Sequence, residues 1–115
     1  MTHAKKDALT RVVESLPQRL PFRHIYRAFG HCVPPAEATI TPGFRLVLCL
    51  EGTNVMRIPQ GSQSVEVILH PGDVAVVGLG AWNYPLHLYD HTFLTLEIQD
   101  EHIRYYLRIH PADPG

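Results

Sequence analysis

From Phe44 to Ile109 short apolar runs follow one another, and each ends at a turn rich in glycine, proline or polar residues. In chain order the runs are FRLVLCL, NVMRI, VEVIL, VAVV, HTFLTLEI and HIRYYLRI. Short β-rich runs at regular spacing predict strands, and a series of them predicts a β-sandwich or a small barrel. Several runs are apolar at successive positions, so we expect sheets that curl around an interior.

The amino-terminal segment has a different period. In AKKDALTRVVESL (residues 4–16), Leu9, Val12, Val13 and Leu16 form one apolar stripe, which predicts an amphipathic helix that ends at Pro17. A helix this short needs a surface to lie on. We therefore divide the chain into a helix and linker (residues 1–20) and a β-barrel domain (residues 21–115).

Between these parts, FRHIYRAFGHCV alternates as a strand does, with His24, Tyr26 and Ala28 on one side and Ile25 on the other. The following PPAEATITPG reads as a loop with a short edge strand at residues 38–40, because prolines bound it.

The charge balance and the cysteine content exclude some classes of function. The 115 residues carry 10 Lys plus Arg against 11 Asp plus Glu. A domain that binds DNA unaided normally has a basic face, which this balance does not indicate. The two cysteines, Cys32 and Cys49, have neither a disulfide framework's number nor a zinc clip's spacing. With no signal-peptide pattern and no apolar stretch near 18 residues, we expect a cytoplasmic protein without membrane contact.

No catalytic constellation is evident. The sequence contains no serine in a nucleophile elbow and no cysteine with plausible histidine and acid partners. Gly78-Leu-Gly80 is not followed by a helix start, so it predicts a bend rather than a phosphate cradle. We therefore predict no catalytic residues and no enzyme activity.

The segment RLVLCLEG, followed about twenty residues later by PGDVAVVGLGAW, resembles the cupin pattern. In the second cupin motif Gly72 and Gly80 match, Gly78 replaces a proline, and Asn83 stands where a histidine is expected. The resemblance covers roughly residues 35–110 and implies an all-β fold, the double-stranded β-helix or jelly-roll barrel, behind the amino-terminal helix.

A closer resemblance is to the amino-terminal, effector-sensing cupin domain of AraC-type transcriptional regulators. FRLVLCLEG, LHPGDVAVVGLGAWNYP, HTFLTLEI and RYYLRIH carry it. It implies a small-molecule effector, a homodimer, and DNA contact made only through a helix-turn-helix module, for which this sequence contains no candidate. The sequence is then either an excised sensor domain or a stand-alone relative.

Catalytic cupins hold a metal with two histidines and a glutamate from the first motif and a histidine from the second. The resemblance places the glutamate position at Arg45 and the last histidine position at Asn83. The other two positions fall on Ala38 and Ile40, or on Thr39 and Thr41. None of these side chains is an imidazole, thiolate or carboxylate donor. We therefore expect no metal and no cofactor.

His87 and His91 are the alternative metal ligands. They are four residues apart, but that spacing places two ligands on one face only in a helix, and Pro85 and Asp90 make this stretch a loop. We expect most histidines of the chain to lie at the surface or rim, some bonded to backbone carbonyls.

The resemblance points Arg45 into the barrel, where an unpaired guanidinium is costly. Two readings stay open: Arg45 pairs with an internal acid such as Glu66 or Glu97 or reaches the rim, or it anchors a small acid ligand. Asn83, at the former metal position, can donate and accept, and suits a polar ligand or a structural corner.

Trp82 forms either a flat wall for a sugar or apolar ligand, or a core plug under the amino-terminal helix. Tyr26 and His24 complete the candidate ligand-binding residues. We thus expect an effector-sensing, dimerising domain. The alternatives are a stand-alone cupin enzyme (a dioxygenase, isomerase or epimerase) and a ligand-free structural barrel.

Overall fold

The computed structural model describes residues 23–30, 32–36, 38, 40 and 43–112. In this part of the chain all regular structure is strand, which confirms the all-β prediction. The strands are β1 (Ile25–Ala28), β2 (Phe44–Gly52), β3 (Asn54–Gln60), β4 (Gln63–Leu69), β5 (Val74–Val77), β6 (Tyr84–Pro85), β7 (His91–Gln99) and β8 (His102–His110).

The described strands form two sheets and no closed barrel. The larger sheet has the order β1-β5-β2-β7-β8 and the smaller one the order β4-β3-β6. Neighbouring strands are antiparallel except β1 and β5, which are parallel. A parallel bridge from Phe29 to Gln60 links the end of β1 to the end of β3.

Alternation along β2 separates an inner from an outer face. Val47 and Cys49 join the main core, while Leu48 and Leu50 pack in a second apolar cluster with residues of β7 and β8. The main core takes side chains from both sheets: Ala28, Val47, Cys49, Met56, Ile58, Val67, Leu69, Ala75, Val77, Ala81 and Phe93. Strands β2 and β7 therefore bury apolar side chains on both faces, which explains their continuous apolar runs.

Two tight turns shape the connections around β5. The amide of Asp73 donates to the carbonyl of His70, with Pro71 second and Gly72 third at a φ of 94°. This is a type II turn, in which the third residue needs a positive φ. The Asp73 carboxylate also accepts from the His70 amide at 2.9 Å.

After β5, the Gly-Leu-Gly bend is a second such turn. The amide of Ala81 donates to the carbonyl of Gly78 at 3.0 Å, and Gly80 has a φ of 78°. The turn lies directly before Trp82 and Asn83 and therefore sets the direction in which their side chains point.

Some of the structural predictions are wrong, and others concern residues that the structure does not describe. Ala38 and Ile40 lie outside any strand, so the edge strand predicted there is wrong at both. Strand β6 was not predicted, and it exists because Tyr84 and Pro85 pair with Arg57 and Met56 of β3. The helix predicted over residues 4–16 and the domain boundary after residue 20 lie outside the described residues. Where the chain is described, no helix is long and apolar enough to cross a membrane.

Candidate functional site

A cavity of about 380 Å³ opens between the two sheets. Its size lies within the range of small-molecule sites. Strands β2, β3, β7 and β8 and the segment around β6 supply its walls: Ala38, Arg45, Val47, Asn54, Met56, Asn83, Tyr84, Pro85, His87, Phe93, Thr95, Tyr106, Arg108 and His110. The walls therefore combine apolar surface with amide, hydroxyl, imidazole and guanidinium groups.

Arg45 is the centre of a buried polar network at one end of the cavity. Its Nη1 donates to Asn83 Oδ1 at 2.7 Å, and its Nη2 lies 3.4 Å from Glu97 Oε1. Both charged side chains are nearly buried, at 12% exposure for Arg45 and 13% for Glu97. Glu97 stands opposite Arg45 on the neighbouring strand, so the sheet itself brings the pair together. Glu66, the other acid considered for this pairing, lies exposed on β4.

Tyr106 completes this network from β8. Its hydroxyl donates to Glu97 Oε1 at 2.6 Å, a short bond as expected for a carboxylate acceptor. Burial and the neighbouring Glu97 carboxylate raise the pKa of the Tyr106 phenol. The phenol therefore remains protonated and serves Glu97 as a donor.

The inner face of β8 also carries basic groups. Arg108 and His110 follow Tyr106 at alternate positions, and all three line the cavity. The Arg108 guanidinium lies 5.3 Å from the centre of the Tyr106 ring, within cation–π range. One long edge of the cavity is thus a row of polar and cationic side chains.

Three histidines stack near the end of β8. The ring centres of His87 and His110 are 4.4 Å apart, and those of His91 and His110 are 5.6 Å apart. His91 is buried, and its Nδ1 lies 2.9 Å from the carbonyl of Tyr89. His87 has a φ of 54°, in the left-handed region that few non-glycine residues occupy. The loop, not a helix, brings His87 and His91 together. His91 is not at the surface and is one of the histidines bonded to a backbone carbonyl.

A few buried polar atoms have no hydrogen-bond partner among the described residues. They are Arg45 Nε, Asn54 Oδ1, His87 Nδ1 and His91 Nε2. The first three belong to side chains that line the cavity. Such orphaned groups are rare in folded proteins and are costly without a partner.

The structure brings together two of the five ligand-binding candidates. Arg45 and Asn83 line the cavity and bond to each other. Trp82 does not line it: the side chain is buried, and its Nε1 donates to the carbonyl of Cys32 at 3.0 Å. Of the two alternatives for Trp82, the core role fits this placement.

His24 and Tyr26 also lie away from this cavity. His24 is 61% exposed, and its Nδ1 is 3.1 Å from Oδ1 of the buried Asp73. Tyr26 packs against the main core. Both residues thus support β1 and the turn at residues 70–73 rather than the cavity.

The donor set does not fit a metal. Among the described residues no group of three or more His, Cys, Asp or Glu side chains could hold a metal ion. Of the positions that the cupin resemblance assigns to ligands, Arg45 and Asn83 line the cavity, as does Ala38 under one of the two spacings, whereas Ile40 does not. None of these side chains offers an imidazole, thiolate or carboxylate. Burial raises the pKa of the Cys49 thiol to about 11, which disfavours the thiolate needed for ligation or nucleophilic attack.

Sequence reasoning missed the contribution of β8. Tyr106, Arg108 and His110 alternate with Tyr105, Leu107 and Ile109, so the period of two carried the signal. That alternation predicts one polar face on a strand of an otherwise apolar sheet. Asn54 and the stacked histidines had no comparable signal, because tertiary contacts assemble them.

No protein-family model, curated protein or solved structure matches this chain.

Proposed function

We propose that this domain binds a small-molecule effector in the cavity between its sheets, as a metal-free cupin jelly-roll sensor of the AraC type. In this proposal the domain dimerises, and a DNA-binding module outside this chain contacts the operator. The observation that carries the proposal is a cavity of ligand size whose polar wall groups include buried atoms without partners among the described residues.

The convergence of two positions supports the cupin part of the proposal. The resemblance assigns metal-ligand positions to Arg45 and Asn83, which are 38 residues apart in sequence. Both line one cavity, and Arg45 donates to Asn83 at 2.7 Å. Of the pair Ala38 and Ile40, which one of the two spacings assigns, Ala38 lines the cavity and Ile40 does not. A cupin whose metal ligands have been replaced keeps the interior and loses Lewis-acid chemistry, and recognition is what remains.

The chemistry of the walls supports binding rather than turnover. Val47, Met56 and Phe93 supply apolar surface, and amide and cationic groups supply orientation. Sites for small molecules combine these two elements in this way. Arg45 and Glu97 are engaged with each other, so neither is poised as a general acid or base.

Blocking the cavity tests the binding proposal. The wild-type chain is screened by thermal unfolding against sugars, amino acids, organic acids and nucleosides. A ligand at 100 times its Kd adds about 2.7 kcal/mol to the free energy of unfolding, which raises Tm by about 10 °C or more in a domain of this size. In Val47→Phe the added ring enters the cavity, and we expect this ligand-induced rise to disappear.

The matched control is Leu46→Phe, which adds a ring on the opposite face of the same strand and should keep the rise. The ligand-induced rise in Tm is measured with and without ligand in the same variant. The cost of overpacking, about 1–3 kcal/mol, is therefore present in both measurements and does not affect the comparison. If no compound stabilises the wild-type chain, or Val47→Phe responds fully, the cavity is not the effector site.

The regulatory part of the proposal is tested by the mass of the native polypeptide. An antibody raised against this domain should detect, in the source cells, a polypeptide about twice the mass of this chain, since a second domain of ordinary length carries the DNA contacts. A native polypeptide no longer than this chain would contradict the fused-regulator form.

A further inference from the structure

The structure assigns a chemical class to this effector: we infer that the cavity takes a small organic acid with an apolar body, whose carboxylate binds Arg108. This inference rests on the proposed function and names the ligand of the same site.

The charge of the walls carries the first step. The described residues that line the cavity include two arginines and two histidines and no aspartate or glutamate. Glu97 lies behind this lining and is engaged with Arg45 and Tyr106. One guanidinium is therefore balanced and the other is not.

Arg108 is the unbalanced cation. Among the described residues its guanidinium lies over the ring of Tyr106 and takes part in none of the ion pairs. A guanidinium presents a planar set of donors that matches a carboxylate in two parallel hydrogen bonds. Arg108 is exposed on β8 and also lines the cavity, so a small anion can reach its guanidinium from solvent.

The spacing of the strands separates the two arginines. Arg45 lies in line with Glu97 and Arg104, whereas Arg108 lies in line with Phe93. Four residues along a strand span about 13 Å. The two arginines also differ in their partners: Arg45 is paired with Glu97, whereas Arg108 takes part in none of the ion pairs among the described residues.

The remaining lining describes the rest of the ligand. Phe93 stands opposite Arg108, and Val47 and Met56 also line the cavity. An apolar body next to the carboxylate fits these side chains. Asn54 Oδ1 and His87 Nδ1, which have no partner among the described residues, suit a polar substituent on that body.

Matched pairs of acids and amides test the inference, because the members of each pair differ in charge and little in shape. The probes are 3-phenylpropionate, hexanoate and 4-hydroxyphenylacetate, each with its primary amide, titrated against the wild-type chain with thermal unfolding and calorimetry. We expect at least one acid to bind and its amide to bind at least ten-fold more weakly. Arg108→Gln should weaken the acid by roughly 10- to 100-fold, the loss expected for charged hydrogen bonds.

Arg104→Gln is the control. It removes the same charge from the same strand at an exposed residue that does not line the cavity, and it should leave acid affinity within about two-fold of wild type. Equal losses in both variants, or no loss in Arg108→Gln, would overturn the placement of the carboxylate. Amides that bind as tightly as acids would overturn the ligand class and leave the proposed function standing. If neither these probes nor the broader compound screen stabilises the chain, the inference and the proposed function fail together.

Discussion

Replacing Trp82 with alanine should lower the free energy of unfolding by about 3–5 kcal/mol, the usual cost of truncating a large buried aromatic side chain. Trp82 is 1% exposed, and its indole nitrogen donates to the carbonyl of Cys32. The variant leaves a cavity and also strips that carbonyl of its donor. Urea unfolding followed by circular dichroism measures the loss, because the variant has no tryptophan fluorescence.

A second variant at Trp82 separates the lost hydrogen bond from the lost ring, and a variant in the preceding turn serves as the control. Trp82→Phe keeps much of the ring and removes the indole donor, so its loss should lie between wild type and Trp82→Ala. Leu79→Ala truncates an exposed side chain in the preceding turn and should change stability by no more than about 0.5 kcal/mol. A loss below about 1 kcal/mol in Trp82→Ala would show that Trp82 is not a core anchor.

Replacing Arg45 with methionine should cost about 3–5 kcal/mol, since it leaves the nearly buried Glu97 carboxylate without its cation. Tyr106 still donates to Glu97, but one neutral donor does not replace a guanidinium. The variant also removes the hydrogen bond that Arg45 donates to Asn83 Oδ1. Urea unfolding at pH 7 gives the expected value.

The double variant Arg45→Met, Glu97→Gln tests this explanation. The glutamine introduced at position 97 carries no charge, and its side-chain oxygen still accepts a hydrogen bond from Tyr106. The double variant should therefore recover most of the lost stability. Buried ion pairs replaced as a whole by neutral groups are often nearly as stable as the original pair. If the double variant is as unstable as Arg45→Met, the loss comes from packing or from Asn83 and not from the unpaired carboxylate.

Most of the strands could be predicted from sequence because their apolar runs and turn residues agree. The pattern from Phe44 onward places β2, β3, β4, β5, β7 and β8 to within a few residues. The two-residue strand β6 had no such signal: Pro85 argues against a strand, and pairing with β3 imposes it. Ala38 and Ile40 show the reverse, because the strand expected there has no partner among the described residues.

The site could be predicted only in part. The motif spacing selected Arg45 and Asn83 as candidates, and the structure places both side chains in the cavity wall, joined by a hydrogen bond. Sequence alone left two acids open for Arg45, because strand pairing decides between Glu66 and Glu97. The choice of Trp82, His24 and Tyr26 as ligand-binding residues rested on residue type, and packing places all three away from this cavity.

The polar network around Arg45 has a consequence for how the sheet aligns its strands. Leucines on one face of β2 and β7 and core residues on the other give hydrophobicity little power to distinguish a one-residue slip. Such a slip turns every side chain of the moving strand to the opposite face. A slip of β7 would remove Glu97 from Arg45 and Tyr106 and leave the nearly buried Arg45 guanidinium without its carboxylate. The network therefore fixes the register of β7 against β2. The double variant Arg45→Met, Glu97→Gln should recover stability but lose this preference for one register.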